Sequence, residues 1–358
     1  MSEQTKKRVI IFLAVLVLFL VYMYRVFDLE DDEKTSALFD GFYSEQEDTI
    51  DGVYLGTSAA NRYWIPSDAF EKYGMTVYNL GTASQPLVLT KYLMKEVQKT
   101  QDPKLYIVEL RSALEEPDGF SETFIRRVTD NMKLSFNRMD AINAALKYAS
   151  KGNNTVTQDR SSYYLSFLKY HARWDGDIDL FDLTAIETRT RYKGYWTSTG
   201  KTLRTEPQTE VARTSAAGSM NEYTEDVLKD LLDYCDSLDA DVMFVVSPYY
   251  PDSLTEQYVL NDAAKIVKSR GYPVLELNTS EKMKEIGLSG ATDFYNSRHV
   301  NWYGATKFTA YMTEYIHKHY DLADHRKQKK YESWNQAAGR LKARIEKIKE
   351  KNDAKQAE

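Results

Sequence analysis

Asp51-Gly52-Val53-Tyr54-Leu55-Gly56-Thr57-Ser58 is a short apolar run that stops at a glycine, a threonine and a serine. Val53, Tyr54 and Leu55 suit a buried strand, and Gly56 permits the tight turn that lifts the following side chains off the end of a sheet. Ser58 is then expected at a strand's carboxyl end. In open α/β sheets that edge binds ligands, because loops and helix N-termini converge there with unpaired backbone N–H groups. Outward from this stretch, Met75 to Leu80, Leu105 to Leu110, Val242 to Ser247 and Pro273 to Leu277 read as further strands. Helical patterns at Arg62 to Lys72, Leu87 to Gln98, Asn221 to Leu238, Thr255 to Arg270 and Ala305 to His319 fall between and after them. Strands alternating with helices predict a parallel sheet covered on both faces.

A second stretch, Asp293-Phe-Tyr-Asn296-Ser-Arg-His299-Val-Asn301-Trp-Tyr-Gly304, places one histidine just before a helix. A serine early in the chain and a histidine late, each beside a turn, meet only if the intervening chain folds a sheet between them. That is the arrangement a nucleophile and its general base require. His171, His317, His319 and His325 have no comparable context in the sequence.

With these blocks in hand, the chain resembles the SGNH/GDSL hydrolase superfamily, and more closely its membrane-anchored branch of DltD-like and alginate O-acetylation-type proteins. The matching pieces are Gly56-Thr57-Ser58, then Asn79-Leu80-Gly81, then Asn296-Ser-Arg-His299 with Asn301 and Gly304, in the family's order from about residue 50 to 320. The resemblance implies a three-layer, flavodoxin-like parallel sheet with a helical insertion over about 112–218. It implies Ser58 as nucleophile, His299 as base, and the Ser58 and Gly81 N–H groups as an oxyanion hole. It implies no cofactor and no metal. The implied activity is that of an extracytoplasmic serine esterase or acyltransferase acting on a cell-envelope polysaccharide or teichoic acid, beside a multi-span membrane O-acyltransferase. A scaffold or glycan-binding protein built on the same core is the alternative.

Two positions depart from the family pattern. The residue three before the histidine is normally an aspartate and here is Asn296, which leaves either Asn296 or Asp293 to orient His299. After the Leu105 strand stands Glu109-Leu110-Arg111-Ser112, without the family's asparagine, so either the oxyanion hole has two backbone donors or Arg111 adds a charge that reads an anionic substrate. In the tyrosine-rich insertion, Tyr195 and Trp196 are expected to line a substrate groove, since their flat apolar faces with polar edges suit sugar rings.

The 358-residue chain is 42% hydrophobic, ample for a core, and its net charge of -6 argues against a nucleic-acid partner. Lys6, Lys7 and Arg8 precede an apolar run from Val9 to Tyr24 that Val26 and Phe27 extend, and the acidic cluster Glu30-Asp31-Asp32-Glu33 follows. This pattern predicts a retained transmembrane anchor in residues 9–27, with the N-terminus cytoplasmic and the main domain outside the cell membrane. Residues 28–49 read as a juxtamembrane connector and 50–322 as the catalytic-type domain. In the charged segment 323–358, Trp334, Ala338, Leu341, Ile345 and Ile348 form a short heptad seam that marks either a docked helix or a solvated tail. The lone Cys235 has no disulfide partner and reads as a buried thiol.

Overall fold

The computed structural model describes residues 2–27, 33–170, 192–196, 216–218, 220–251 and 253–357. Five strands, β1 (Gly52–Leu55), β2 (Val77–Asn79), β3 (Leu105–Glu109), β4 (Asp241–Val246) and β5 (Val274–Glu276), form one parallel sheet in the order β2-β1-β3-β4-β5. Val53 pairs with Tyr78 on one side and with Tyr106 on the other. The chain changes direction across the sheet at β1, which opens a crevice at the carboxyl ends of β1 and β3.

The helices are α1 (Glu3–Phe27), α2 (Glu33–Tyr43), α3 (Ser58–Tyr63), α4 (Pro66–Tyr73), α5 (Thr90–Val97), α6 (Glu122–Thr129) and α7 (Phe136–Ala149). They continue with α8 (Ser161–Tyr164), α9 (Phe167–Tyr170), α10 (Glu222–Cys235), α11 (Leu254–Ser269), α12 (Ser280–Ile286), α13 (Gly290–Asp293), α14 (Trp302–His319) and α15 (Glu332–Ala357). A hairpin of β6 (Phe294–Asn296) and β7 (His299–Val300) stands apart from the main sheet.

Alternation along the strands feeds two cores. Val53 and Leu55 of β1, Tyr106 and Val108 of β3, and Phe244 and Val246 of β4 point to one side, where Leu93, Ile142, Leu231 and Ala263 cover them from α5, α7, α10 and α11. Tyr54, Ile107 and Val245 point to the other, under Ala59, Ala69, Phe308 and Leu341 of α3, α4, α14 and α15. Apart from Asp241, β1 to β4 are therefore buried on both faces, as a parallel sheet between two helical layers requires, while β5 at the edge is half-buried. The strand pattern expected from the sequence is present, strand for strand.

The helix after β1 and the N-terminal flank differ from expectation, and the C-terminal flank takes one of the two forms left open. The Arg62 to Lys72 pattern is two helices, because Pro66 removes a donor and holds Ile65 extended at φ -102°, ψ 96°. The described part of the supposed connector, α2, buries Leu38, Phe39 and Phe42 in the core, and Tyr78 donates its hydroxyl to the Leu38 carbonyl at 3.0 Å. The C-terminal seam docks on its own chain: Trp334, Ala338 and Leu341 are buried, and Trp334 meets Phe70 of α4 at 5.7 Å between rings. Both flanks thus belong to the same core as residues 50–322. In α1 the run from Val9 to Tyr22 is exposed along its length. Among the described residues no helix is long and apolar enough to cross a membrane. Residues 171–191 and 197–215 of the insertion, His171 included, lie outside the described residues.

Candidate active site

Gly56 sits at φ 139°, and a Cβ there would stand 2.4 Å from the Glu109 Cβ, so only glycine lets β1 turn against the end of β3. Thr57 then caps α3, its Oγ1 accepting from the Ala59 N–H at 3.3 Å, and Ser58 becomes the first helical residue. On the far side, Asn301 caps α14, accepting from the Gly304 N–H and donating to the Thr292 carbonyl, which fixes the base of the β6–β7 hairpin. Asn296 pairs with His299 across that hairpin.

The two blocks meet. Ser58 Oγ lies 2.6 Å from His299 Nε2, and His299 Nδ1 lies 3.0 Å from Asn296 Oδ1. The Arg298 N–H also donates to Asn296 Oδ1 at 3.0 Å, which identifies that atom as the oxygen. His299 therefore carries its proton on Nδ1 and donates it to Asn296, and Nε2 is left to accept from the Ser58 hydroxyl. This is the tautomer a general base needs.

Asp293 is not the orienting group. It is buried, accepts from the Ser289 N–H at 2.8 Å and from Lys307 Nζ at 2.6 Å, and closes the turn at α13. It directly precedes the hairpin strand at Phe294, and its carboxylate reaches back to the N-terminal end of α13. Of the two residues left open by the sequence, Asn296 makes the contact.

The half-buried His299 is strongly perturbed. Burial is the largest cause, and the charges of Arg111, Arg62 and Arg298 add to it, holding its pKa down to about 2. The imidazole is thus neutral at every physiological pH. Protonating it costs most where positive charge already gathers, while a developing oxyanion beside it is favoured. The lowered pKa also makes folding proton-linked: between about 6.5 and about 2 the unfolded chain binds one more proton, so stability falls as pH drops through that window.

On the oxyanion side, Gly81 packs directly under the serine turn, where a Cβ would stand 2.6 Å from the Gly56 carbonyl and 3.0 Å from the Thr57 carbonyl. The Thr82 N–H donates to the Gly56 carbonyl at 3.0 Å, and buried Asn61 donates its amide to the Gly81 carbonyl at 2.8 Å. Among the described residues neither the Ser58 nor the Gly81 N–H has a hydrogen-bond acceptor.

Arg111 and Tyr195 do not stand where a substrate reaches them. Arg111 is 5% exposed, donates to Tyr63, to Ser247 and to the Arg298 carbonyl, and lies 4.1 Å over the Tyr249 ring. A charge so fully engaged acts as a strut between β3 and the hairpin rather than as a substrate reader. Tyr195 is 2% exposed and packs into the core, because its backbone N–H and that of Trp196 tie the 192–196 segment to the Tyr192 carbonyl and to α3. Trp196 alone of the pair is half-buried, and the Arg62 guanidinium stacks 4.3 Å over it.

Sequence reasoning missed Arg62, Tyr295 and Glu109. Arg62 lies four residues after Ser58, on the same face of α3, and that spacing is the signal that places it. It also lies 5.1 Å over Tyr295, whose ring stacks on His299 at 5.5 Å, so a row of planar groups runs His299, Tyr295, Arg62, Trp196 along the rim. Glu109 is fully buried beneath Gly56 and accepts from Tyr54, Arg111 and the Ser247 N–H, with its pKa raised by burial. No protein-family model matches the chain, and no curated protein matches it.

Proposed function

We propose that the chain is a serine acyltransferase or esterase of the SGNH/GDSL type that works through an acyl-serine intermediate. The observation that supports it above others is the Ser58 Oγ to His299 Nε2 contact with the opposite ring nitrogen held by Asn296. In this reading His299 takes the hydroxyl proton as Ser58 Oγ attacks an acyl carbonyl. The tetrahedral oxyanion collapses with loss of the leaving group, which takes the proton from His299. An incoming hydroxyl then repeats the cycle in reverse and leaves with the acyl group. The guanidinium groups near His299 oppose the imidazolium and favour the oxyanion, so the two halves of the transition-state charge are stabilised unequally.

The acceptor in this reading is a cell-envelope polysaccharide or teichoic acid, and the acyl group is delivered by a multi-span membrane O-acyltransferase. Residues 9–27 anchor the chain, with the N-terminus cytoplasmic and the domain extracytoplasmic. The apolar stretch of sequence from Val9 to Phe27 approaches the roughly 20 residues that a span needs, interrupted only by Arg25, whose long side chain reaches the interface. A second reading, a glycan-binding or scaffold protein with an impaired relay, draws on Asn296 in place of a carboxylate and on the depressed His299 pKa.

Fluorophosphonate labelling of the full-length chain, with Ser58→Ala alongside, separates the two. The enzyme reading expects labelling mapped to Ser58 and lost in the variant. Absence of labelling in the parent chain favours the binding protein.

A further inference from the structure

Where α13 meets α14 there is an open cavity of about 490 Å³, lined by Thr292 and Asp293 from the first and by Trp302, Tyr303, Thr306 and Lys307 from the second. The four α14 positions have the spacing that puts side chains on one helical face. The volume lies in the range of about 300–1,000 Å³ that small-ligand pockets occupy. None of these residues takes part in the contact of Ser58, His299 and Asn296. Asp293 instead fixes two polar groups of the cavity wall, accepting from Lys307 Nζ at 2.6 Å and from the Thr292 hydroxyl at 3.2 Å. Lys307 also donates to the Gly287 carbonyl at 2.8 Å, so among the described residues two of its three N–H groups are engaged. The aromatic part of the wall is a corner: the Trp302 and Tyr303 rings lie 4.9 Å apart at 57°, with Trp302 half-buried and Tyr303 44% exposed.

We propose that this cavity binds one pyranose ring of a polysaccharide acceptor. The proposal rests on the acyltransferase reading above and chooses between the two acceptors named there. Two flat faces set at an angle take the C–H face of a sugar ring on one side and its edge on the other, while the hydroxyls meet Thr292 and Lys307. A polyol phosphate has no ring to lay on an indole and carries a charge at each unit, whereas the ammonium in this wall is already neutralised by Asp293. An acyl chain needs an enclosed apolar slot, and this cavity is open with a lysine in its wall. Lys349 of α15 lies 5.0 Å over the Trp302 ring, with Glu346 three residues before it and Glu350 next to it, an exposed contact that a sugar face displaces. The cavity is also near the nucleophile. Trp302 follows His299 by three residues, so their Cα atoms are at most about 10 Å apart, and His299 touches Ser58. A polymer held on Trp302 thus has neighbouring units within reach of an acyl group on Ser58.

The test uses the full-length chain, tagged with a dye at its N-terminus and purified in a detergent without a sugar headgroup. It is applied to an array of pyranose oligosaccharides with poly(glycerol phosphate) and poly(ribitol phosphate) spotted beside them. The parent is expected to hold at least one pyranose oligosaccharide and neither polyol phosphate. Tyr303→Ala, at an exposed position, and Trp302→Ala should each weaken that binding roughly tenfold or more. Near-UV circular dichroism checks that both variants fold, and fluorophosphonate, too small to need the cavity, should label Ser58 in Tyr303→Ala as in the parent. Binding that survives both substitutions, binding to the polyol phosphates alone, or binding to no spot overturns the proposal. Ser58 labelling without sugar binding removes the cavity's role and leaves the nucleophile. Sugar binding that depends on Tyr303 in a parent chain that does not label keeps the sugar site and removes the transferase.

Discussion

Among the described residues two histidines, His299 and His325, hold a hydrogen-bonded partner on each ring nitrogen, and they are wired oppositely. His299 donates from Nδ1 to the Asn296 amide oxygen and turns Nε2 to the Ser58 hydroxyl. His325 accepts at Nδ1 from Gln328 Nε2 at 3.1 Å and donates from Nε2 to Asp51 Oδ2 at 2.7 Å, with its ring stacked 3.9 Å from Tyr331. The histidine with the carboxylate has no hydroxyl to activate; the one with the hydroxyl has no carboxylate. Through Asp51, His325 ties the segment after α14 to the start of β1, and its backbone N–H donates to the Gly74 carbonyl at the end of α4. A His–Asp contact is therefore no marker of chemistry here. What marks it is an unprotonated ring nitrogen facing a serine at the carboxyl edge of the sheet.

The widest separation between the two is expected on removing each ring. His299→Ala should slow fluorophosphonate labelling of Ser58 by roughly 10³-fold or more, as loss of the base does in serine hydrolases, whereas His325→Ala should leave it within about twofold. Comparable losses in both would mean that labelling reports global structure and not the base.

The next largest effect comes from giving His299 the carboxylate that His325 enjoys. Asn296→Asp keeps the acceptor for the Arg298 N–H and the His299 Nδ1–H and adds a negative charge, which favours the imidazolium. The base acts only when neutral, so the acid limb of the labelling profile, set in the parent by a pKa of about 2, should move to higher pH. At pH 7 the stronger base should label about tenfold faster or more, given that the reverse exchange in a serine protease costs about 10⁴-fold. Asp293→Asn should leave the acid limb where it is, because Asp293 serves Ser289 and Lys307. An unmoved limb in Asn296→Asp would show that burial and the arginines, and not the amide, set the pKa.

How far the sequence exposes all this depends on the range of the forces involved. The central strands are legible because burial on both faces writes continuous apolar runs such as Leu-Tyr-Ile-Val at 105–108. Ser58 and His299 are legible because each sits at a turn whose backbone demands particular residues, Gly56 at positive φ and Asn301 as a cap. The choice between Asn296 and Asp293 is not legible, since both lie within reach along the chain and only the hairpin's register decides. The docking of α2 and α15 is hidden for a different reason. Their cores are short and flanked by charge, and only tertiary contact with Phe70 and Tyr78 tells a docked helix from a solvated one. Arg111 and Tyr195 mislead because residue type alone does not show burial, and both are enclosed by elements far away in sequence.

The smallest effect tests the structural half of the comparison. Asp51→Asn retains an oxygen that can accept from His325 Nε2–H and so loses only the charge on that acceptor, at a site with side chains 10% and 16% exposed. A hydrogen bond exchanged for a weaker one of the same geometry changes stability by about 0.5–1.5 kcal/mol. Denaturant unfolding should show that loss with an unchanged slope, and Ser58 labelling should proceed at the parent's rate. The reason is geometric: Asp51 precedes β1 at its amino end, and Ser58 follows it at the carboxyl end, with the strand Gly52–Leu55 held in register on both sides between them. Slower labelling without a stability loss would mean that the pair at one end of β1 sets the position of the serine at the other, and that the two histidines belong to one device.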